Sequence, residues 1–321
     1  MHVVVTGAAG FLGQKIIKAL ADRGTIGDTD GAQQPITGFK LIDVVAPKFA
    51  PSGAKVLIGD LSSPNFIAEA VLAEATHVFH LAAVVSGQAE ADFELGMRVN
   101  IDATRALLEN LHRGGQVPRL VYPSSIAVFG HAPDIIGDET ATLPNSSYGA
   151  QKAMSELLIN DMSRRGFIDG VSVRVPTVMV RPGKPNAAAS SFASSIIREP
   201  LAGRAAVCPV STDLAMWVSS PQTVCANLIH AADLASGALD FPRMINLPGL
   251  SVEVAEMISA AERAGIDTSF ISFSSDPAID AIVRTWPQHL DTVRVKRLGF
   301  VVDQDIDAII REHQQHRLAH G

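Results

Sequence analysis

The 321-residue chain holds two cysteines, two tyrosines and two tryptophans, and these shortages exclude whole classes of protein. Cys208 and Cys225 lack the paired spacing of a zinc site and the density of a disulfide-stapled domain, so no metal site is expected. They read as small buried hydrophobes in a reducing compartment, which makes the cytoplasm the expected location. Basic runs are missing as well. A net charge of −7 with no Lys/Arg cluster argues against a nucleic-acid partner, because phosphate binding needs a basic face. No uninterrupted apolar run approaches the ~20 residues of a membrane span, and the three valines of the opening MHVVVTGAAG are too few for the core of a signal peptide. What is plentiful is apolar: 47% of residues are hydrophobic and 18% charged, the balance of a packed globular protein acting on small molecules. The length suits one large domain or two modest ones.

Short β-branched runs alternate with helical patterns through the first half, the sequence form of βαβ units and a parallel sheet. The expected strands are His2–Val5, Lys40–Val44, Lys55–Gly59, His77–Leu81, Arg119–Pro123 and Val171–Val175. The expected helices between them are Phe11–Arg23, Asn65–Ala75, Asp92–Arg113 and Ser147–Arg165. Thr25–Thr37, with its Gly, Asp, Gln and Pro residues, reads as a long surface loop. After Pro176 the regularity breaks down, with short strands in AAVCPVSTDLAMWVSS, a helix opened by Ser220-Pro221, a strand at Met244–Leu247, a helix at Val252–Ala264 and a polar terminal helix at Asp303–His316. The fold class is therefore α/β: a doubly wound parallel Rossmann sheet over 1–176, with helix 220–236 packing back on it, and a smaller C-terminal α/β lobe formed by 177–219 and 237–321.

VVVTGAAGFLG sets Gly7, Gly10 and Gly13 between an expected strand and an expected helix. A tight turn at Gly7 and a side-chain-free approach at Gly10 would let a pyrophosphate rest on the helix N-terminus, where unpaired N–H groups and the helix dipole favour anions. Gly13 would let the helix pack close to the sheet. KLIDVV ends in Asp43, placed to accept hydrogen bonds from both hydroxyls of an adenosine ribose and to repel a 2′-phosphate, so NAD is expected over NADP. Its distance from Gly13 exceeds the usual spacing, and the 25–37 segment accounts for the excess. Asp60 and Leu61 in GDLSS suit the adenine edge, and Ala82 and Ala83 in HLAAVVSG would let a cofactor lie against backbone.

In NSSYGAQKAMSE, Tyr148 and Lys152 are four apart and share a helix face. Alone the pair is ordinary helical spacing. A tyrosine of pKa ~10 becomes a base near neutrality only beside positive charge, and a shift of ~3 units needs ~4 kcal/mol, within reach of Lys152 and an oxidised nicotinamide in a partly dry cleft. Upstream, RLVYPSSIAVFG ends a strand in Ser124 and Ser125 at the sheet edge where ligands bind, and a serine there can hold a substrate hydroxyl for transfer of its proton to Tyr148.

With TGAAGFLG, GDL, HLAA, RVNIDATRALLE, YPSSIAVFG, YGAQK and a closing VKRLGF, the chain resembles, nearly end to end, the extended short-chain dehydrogenase/reductases, the group that includes nucleotide-sugar epimerases. That resemblance implies Tyr148 as base, Lys152 as its activator and ribose contact, and Ser125 as hydroxyl anchor. It also implies cofactor contacts or support from Ser124, Asn100, Phe11, Leu12, Leu81 and Pro176, and a homodimer built through long helices.

The substrate is read from departures within the family. RVPTVMVRPG carries Thr177 where the nucleotide-sugar enzymes usually have an asparagine, and Pro176 before it resembles the threonine-dehydrogenase branch. DLAMWVSSPQTV lacks the arginine that would pair with a diphosphate. PVSTDLAMWVSSP and TWPQHLDT are similar to bacterial dehydrogenases of four-carbon sugar acids, which implies NAD-dependent oxidation of the second-carbon hydroxyl to a 2-keto acid. Arg181 and Ser86 are candidates for holding the carboxylate, Arg181 being equally readable as a surface or structural residue. Trp217 reads as core, with a pocket wall as its alternative. A nucleotide-sugar epimerase or dehydratase, a threonine-type dehydrogenase and a non-catalytic NAD-binding regulator are the rival readings; the last has no need of Ser125, Tyr148 and Lys152 together.

Overall fold

Strand β1 (His2–Thr6) is apolar on both faces because helices cover both sides of the sheet it centres. The structure, a computed structural model, describes residues 1–70, 72–130, 135–183 and 188–320. In the large sheet β1 is joined by β2 (Gly38–Asp43), β3 (Lys55–Ile58), β4 (His77–His80), β5 (Arg119–Ser125), β6 (Asp169–Val175) and β7 (Met244–Asn246). All seven run parallel, in the order β7-β6-β5-β4-β1-β2-β3. The chain leaves β1 toward β2 on one side and returns as β4 on the other, which opens a crevice at their C-terminal ends.

Alternation along the strands divides the core. Val3, Val5, Phe79, Val121 and Val173 face helices Phe11–Arg23 and Pro221–Asp233. Val4, Ile42, Val78, Leu120 and Tyr122 face helices Ala103–Arg113 and Ser147–Arg164. The smaller lobe has its own core, built from a sheet of Thr177–Val178, Ala215–Ser219 and Leu250–Glu253, a strand pair Ala206–Cys208 with Ile271–Phe273, and helices that include Ser191–Leu201, Val254–Arg263 and Ile306–His320. Among the described residues no helix is long and apolar enough to cross a membrane.

Four local expectations are corrected. Met244–Asn246 pairs with Ser172–Arg174 as the seventh strand of the large sheet instead of joining the small lobe. Residues 25–37 contain a hairpin, Thr25–Gly27 against Gln33–Pro35, turned at Gly31 with φ of 82°. The helix expected over 65–75 is Pro64–Glu69 only. The helix expected over 92–113 is interrupted: a π-helical turn at Met97–Asp102 separates Phe93–Gly96 from Ala103–Arg113, and such turns serve to re-aim side chains.

Candidate active site

The glycine loop fills the mouth of the crevice between β1 and β4. Gly7 has a φ of 67°, and a Cβ there would lie 2.7 Å from the backbone of Leu81 and Ala82, so only glycine lets the turn pass over β4. Gly10 N–H donates to Gly7 O at 3.0 Å. A Cβ on Gly13 would come within 2.3 Å of Gly7 O, which is how closely the Phe11–Arg23 helix sits on its own loop. Asp43, at the end of β2, accepts from Ala9 N at 2.8 Å and Val45 N at 3.3 Å, so it braces the loop. Beneath the loop His80 bridges Thr6 Oγ1 (2.7 Å) and Thr104 Oγ1 (2.9 Å). Thr104 donates onward to Asn100 O, which leaves it to accept from His80 Nε2–H. Burial, and then the nearby Lys152 charge, push the His80 pKa down to about 3, so it is a neutral strut.

Ser146 caps the Ser147–Arg164 helix by accepting from Gly149 N. Gly149 lets that helix approach the Ile126–Val128 turn, since a Cβ would sit 2.1 Å from Ala127 O. The contact carries Tyr148 to the end of β5. Burial raises the Tyr148 pKa to about 12, against which the Arg181 charge and a hydrogen bond with Ser125 pull downward. Lys152 Nζ donates to Pro123 O at 2.8 Å and lies 4.3 Å from the Tyr122 ring centre and 5.7 Å from that of Tyr148. Burial lowers its pKa to about 7, partly offset by Glu156, one turn along the helix. Glu156 is itself gripped by Arg174 on β6 at 2.8 to 3.2 Å, both side chains fully buried. The cation that most lowers the tyrosine pKa is thus Arg181, while Lys152 is fixed to the strand end below.

Arg181 is held at its backbone, N–H donating to Ser194 Oγ (3.1 Å) and O accepting from Arg198 Nη1 (2.8 Å). Arg181 lines the cleft, and among the described residues its buried Nη2 has no hydrogen-bond partner. Burial and the Arg198 charge lower its pKa, whereas Tyr148 raises it.

The cleft encloses about 300 Å³, toward the small end of ligand pockets. Gly7, Gly10, Phe11, Leu12, Gly13, Leu81 and Ala83 line one end; Ser86, Ser124, Ser125, Tyr148, Lys152, Pro176 and Arg181 line the rest. Five expected cofactor residues lie off its wall. Asp43 braces the loop, Asp60 accepts from Ser62 N, and Leu61 is in the core. Ala82 donates to Thr6 Oγ1, and Asn100 bonds Val84 and Gln151. Trp217 is core, its Nε1–H donating to Leu247 O at 3.2 Å. The sequence reading missed Val84, Val85, Ser190 and Trp286 on the wall and Gln151 behind it; only Trp286, an aromatic inside the polar, proline-containing TWPQHLDT, left a visible trace.

These features suit a dinucleotide. The first-turn N–H groups at Phe11 and Leu12 precede the first internal bond, Gln14 N to Gly10 O. Ser124 Oγ is buried at the cleft without a partner among the described residues. When bound, NAD would supply a hydride acceptor and one more positive charge facing Tyr148.

Comparison with known proteins agrees. The model of the NAD dependent epimerase/dehydratase family matches residues 3–241. A D-erythronate dehydrogenase of Cupriavidus necator is 48% identical over 319 residues, 98% of each chain. One from Haemophilus influenzae is 45% identical over 318 residues, 97% of this chain and 98% of the relative. Among solved structures, a nucleoside-diphosphate-sugar epimerase from Agrobacterium tumefaciens superposes with a TM-score of 0.91 at 40% identity, covering 100% of this chain and 95% of that one. The L-threonine 3-dehydrogenase of Trypanosoma brucei superposes at 0.86 and 26% identity, covering 99% and 98%.

Proposed function

Within the NAD-dependent epimerase/dehydratase family, to which this chain belongs, we propose a dehydrogenase that oxidises D-erythronate to 2-dehydro-D-erythronate. The observation that carries the reading is Arg181: a cation with an unpartnered buried Nη2 in the same small cleft as Tyr148 and Ser125. A guanidinium so placed suits a carboxylate, which it can grip through two parallel hydrogen bonds. The near full-length likeness to two D-erythronate dehydrogenases supports the same acid.

In this reading Arg181 anchors the carboxylate, and Ser125 holds the hydroxyl of the second carbon beside the Tyr148 oxygen. Tyr148 takes the hydroxyl proton as the hydride on the same carbon departs, so an alcohol loses two electrons and two hydrogens and becomes a ketone. Lys152, tied to Pro123 O at 2.8 Å, fixes the strand end that presents Ser124 and Ser125 and adds charge behind the tyrosine when protonated. The glycine loop, Ser124 and Asp43 are assigned to NAD. Sugar-acid breakdown in the cytoplasm by a homodimer completes the proposal.

The test is to supply the purified protein with NAD and, separately, D-erythronate, other four-carbon acids, L-threonine and UDP-sugars, following NADH. NADH formation with D-erythronate well above the rest is expected. Sugar-nucleotide turnover with no NADH from any acid would overturn the reading in favour of an epimerase.

A further inference from the structure

We propose that Trp286 sets the length of substrate the cleft accepts, forming a fixed outer wall against which the far carbons of the acid end; the inference rests on the sugar-acid reading above. Trp286 comes from far along the chain yet lines the same cleft as Ser125, Tyr148 and Arg181. Apart from Tyr148 and Phe11 of the glycine loop, it is the one aromatic lining the cleft among the described residues. Several other residues of the wall are small: Ala83, Ser86, Thr177, Ala188 and Ser190.

The backbone that carries the indole is anchored on both sides. The backbone N–H of Trp286 donates to Val283 O at 3.2 Å, at the end of helix Pro277–Val283. A few residues on, Ile136 donates to His289 O at 3.0 Å and accepts from Asp291 N at 2.7 Å, pinning the segment to the loop that carries Ile136. Its ring packs at once on the small-lobe core and on the cluster of Ile126, Phe129, Trp217 and Leu290. A side chain wedged between two close-packed cores cannot swing aside without losing contacts on both. An acid whose carboxylate is fixed at Arg181 and whose second carbon is fixed at Tyr148 has only its distal carbons free to vary. The indole face offers those C–H groups apolar contact and leaves a longer chain nowhere to go.

The test compares kcat/KM for a four-carbon and a six-carbon aldonate, with saturating NAD, in the wild type, Trp286→Ala and Trp286→Phe. Trp286→Ala is expected to lower the four-to-six-carbon ratio by at least about tenfold, the low end of what a methylene is worth in a fitted pocket, and Trp286→Phe by less. Thermal melting establishes that each variant is folded, and Trp286→Phe, which keeps most of the packing, serves if the alanine variant is not. An unchanged ratio in folded variants, beside a wild type active on the four-carbon acid, would remove the wall and leave the activity. A wild type that oxidised no aldonate would remove the sugar-acid reading, and the wall with it.

Discussion

Replacing Arg181 with glutamine removes a cation while leaving a planar donor, and the position predicts two separable losses. The first is in binding. Truncating one partner of a desolvated charge pair costs about 2–5 kcal/mol, which at ~1.4 kcal/mol per tenfold is a fall in kcat/KM of about 30-fold to several thousand-fold. Because a carboxylate is present in ground and transition states alike, most of that fall belongs in KM. The second loss concerns Tyr148. Arg181 is the strongest influence holding its pKa down against burial, and a base acts only when deprotonated. Removing the charge raises that pKa, so the rise of kcat with pH moves to more alkaline values and activity at neutral pH falls further. The assay is the initial rate of NADH formation from D-erythronate and from the neutral polyol erythritol, in wild type and Arg181→Gln, from neutral to alkaline pH. The acid should lose far more than the polyol, with the pH profile displaced upward. An equal loss for both substrates, or a change for the acid within about threefold, less than one hydrogen bond is worth, would refute the assignment of Arg181.

Three further outcomes test the cofactor and base assignments. Tyr148→Phe should reduce kcat by about 10²- to 10⁴-fold, the usual worth of a general base, with NAD affinity by calorimetry nearly unchanged; loss of both would mark a structural tyrosine. Gly13→Ala forces a Cβ to within 2.3 Å of Gly7 O, so NAD affinity should fall more than about tenfold and the fold should lose about 1–3 kcal/mol in urea titration; an alanine variant that bound NAD normally would contradict the loop geometry. Lys152→Met should be inactive yet, without NAD, more stable than wild type in mildly acid solution. Burial depresses the Lys152 pKa from 10.5 to about 7, so below about pH 7 the native state bears the full penalty of a buried charge, and that penalty fades as pH rises toward 10.5. The stability difference between the two proteins should therefore narrow over that window; parallel profiles would contradict it.

The parts of the molecule legible in the sequence are those specified by neighbours along the chain. Six strands of the large sheet, the Gly7–Gly13 loop and the shared face of Tyr148 and Lys152 depend on periods of two or 3.6 and on local turn chemistry. Met244–Asn246 carries no mark of its partner, since a three-residue strand of Met, Ile and Asn suits either lobe, and only the free edge of β6 selects it. The π turn at Met97–Asp102 is invisible because RVNIDATRALLE has ordinary helical composition; the turn follows from Asn100 reaching Val84 and Gln151. Trp217, whose alternative reading was a pocket wall, donates to a buried carbonyl, and it is Trp286 that walls the cleft.

Asn100 explains why the base side of the cleft is rigid. Its side chain accepts from Val84 N at 2.9 Å and donates to Gln151 Oε1 at 2.7 Å, while its carbonyl receives the Ser155 and Thr104 hydroxyls. One residue thereby ties the exit of β4, the Tyr148 helix and the π turn, and Gly96 leaves the space, since a Cβ there would meet Gln151 Nε2 at 2.4 Å. A buried polar network tolerates few alternative packings, because each shift strands a donor or acceptor at a cost of about 1–3 kcal/mol. The two groups assigned above to opposite ends of the substrate are held differently. Arg181 is held by two backbone bonds, with its Nη2 unpartnered among the described residues, and Trp286 is set by apolar packing, so either can change without breaking the hydrogen bonds of Asn100 or Lys152. Substrate choice is therefore the alterable property of this site, and hydride transfer the fixed one.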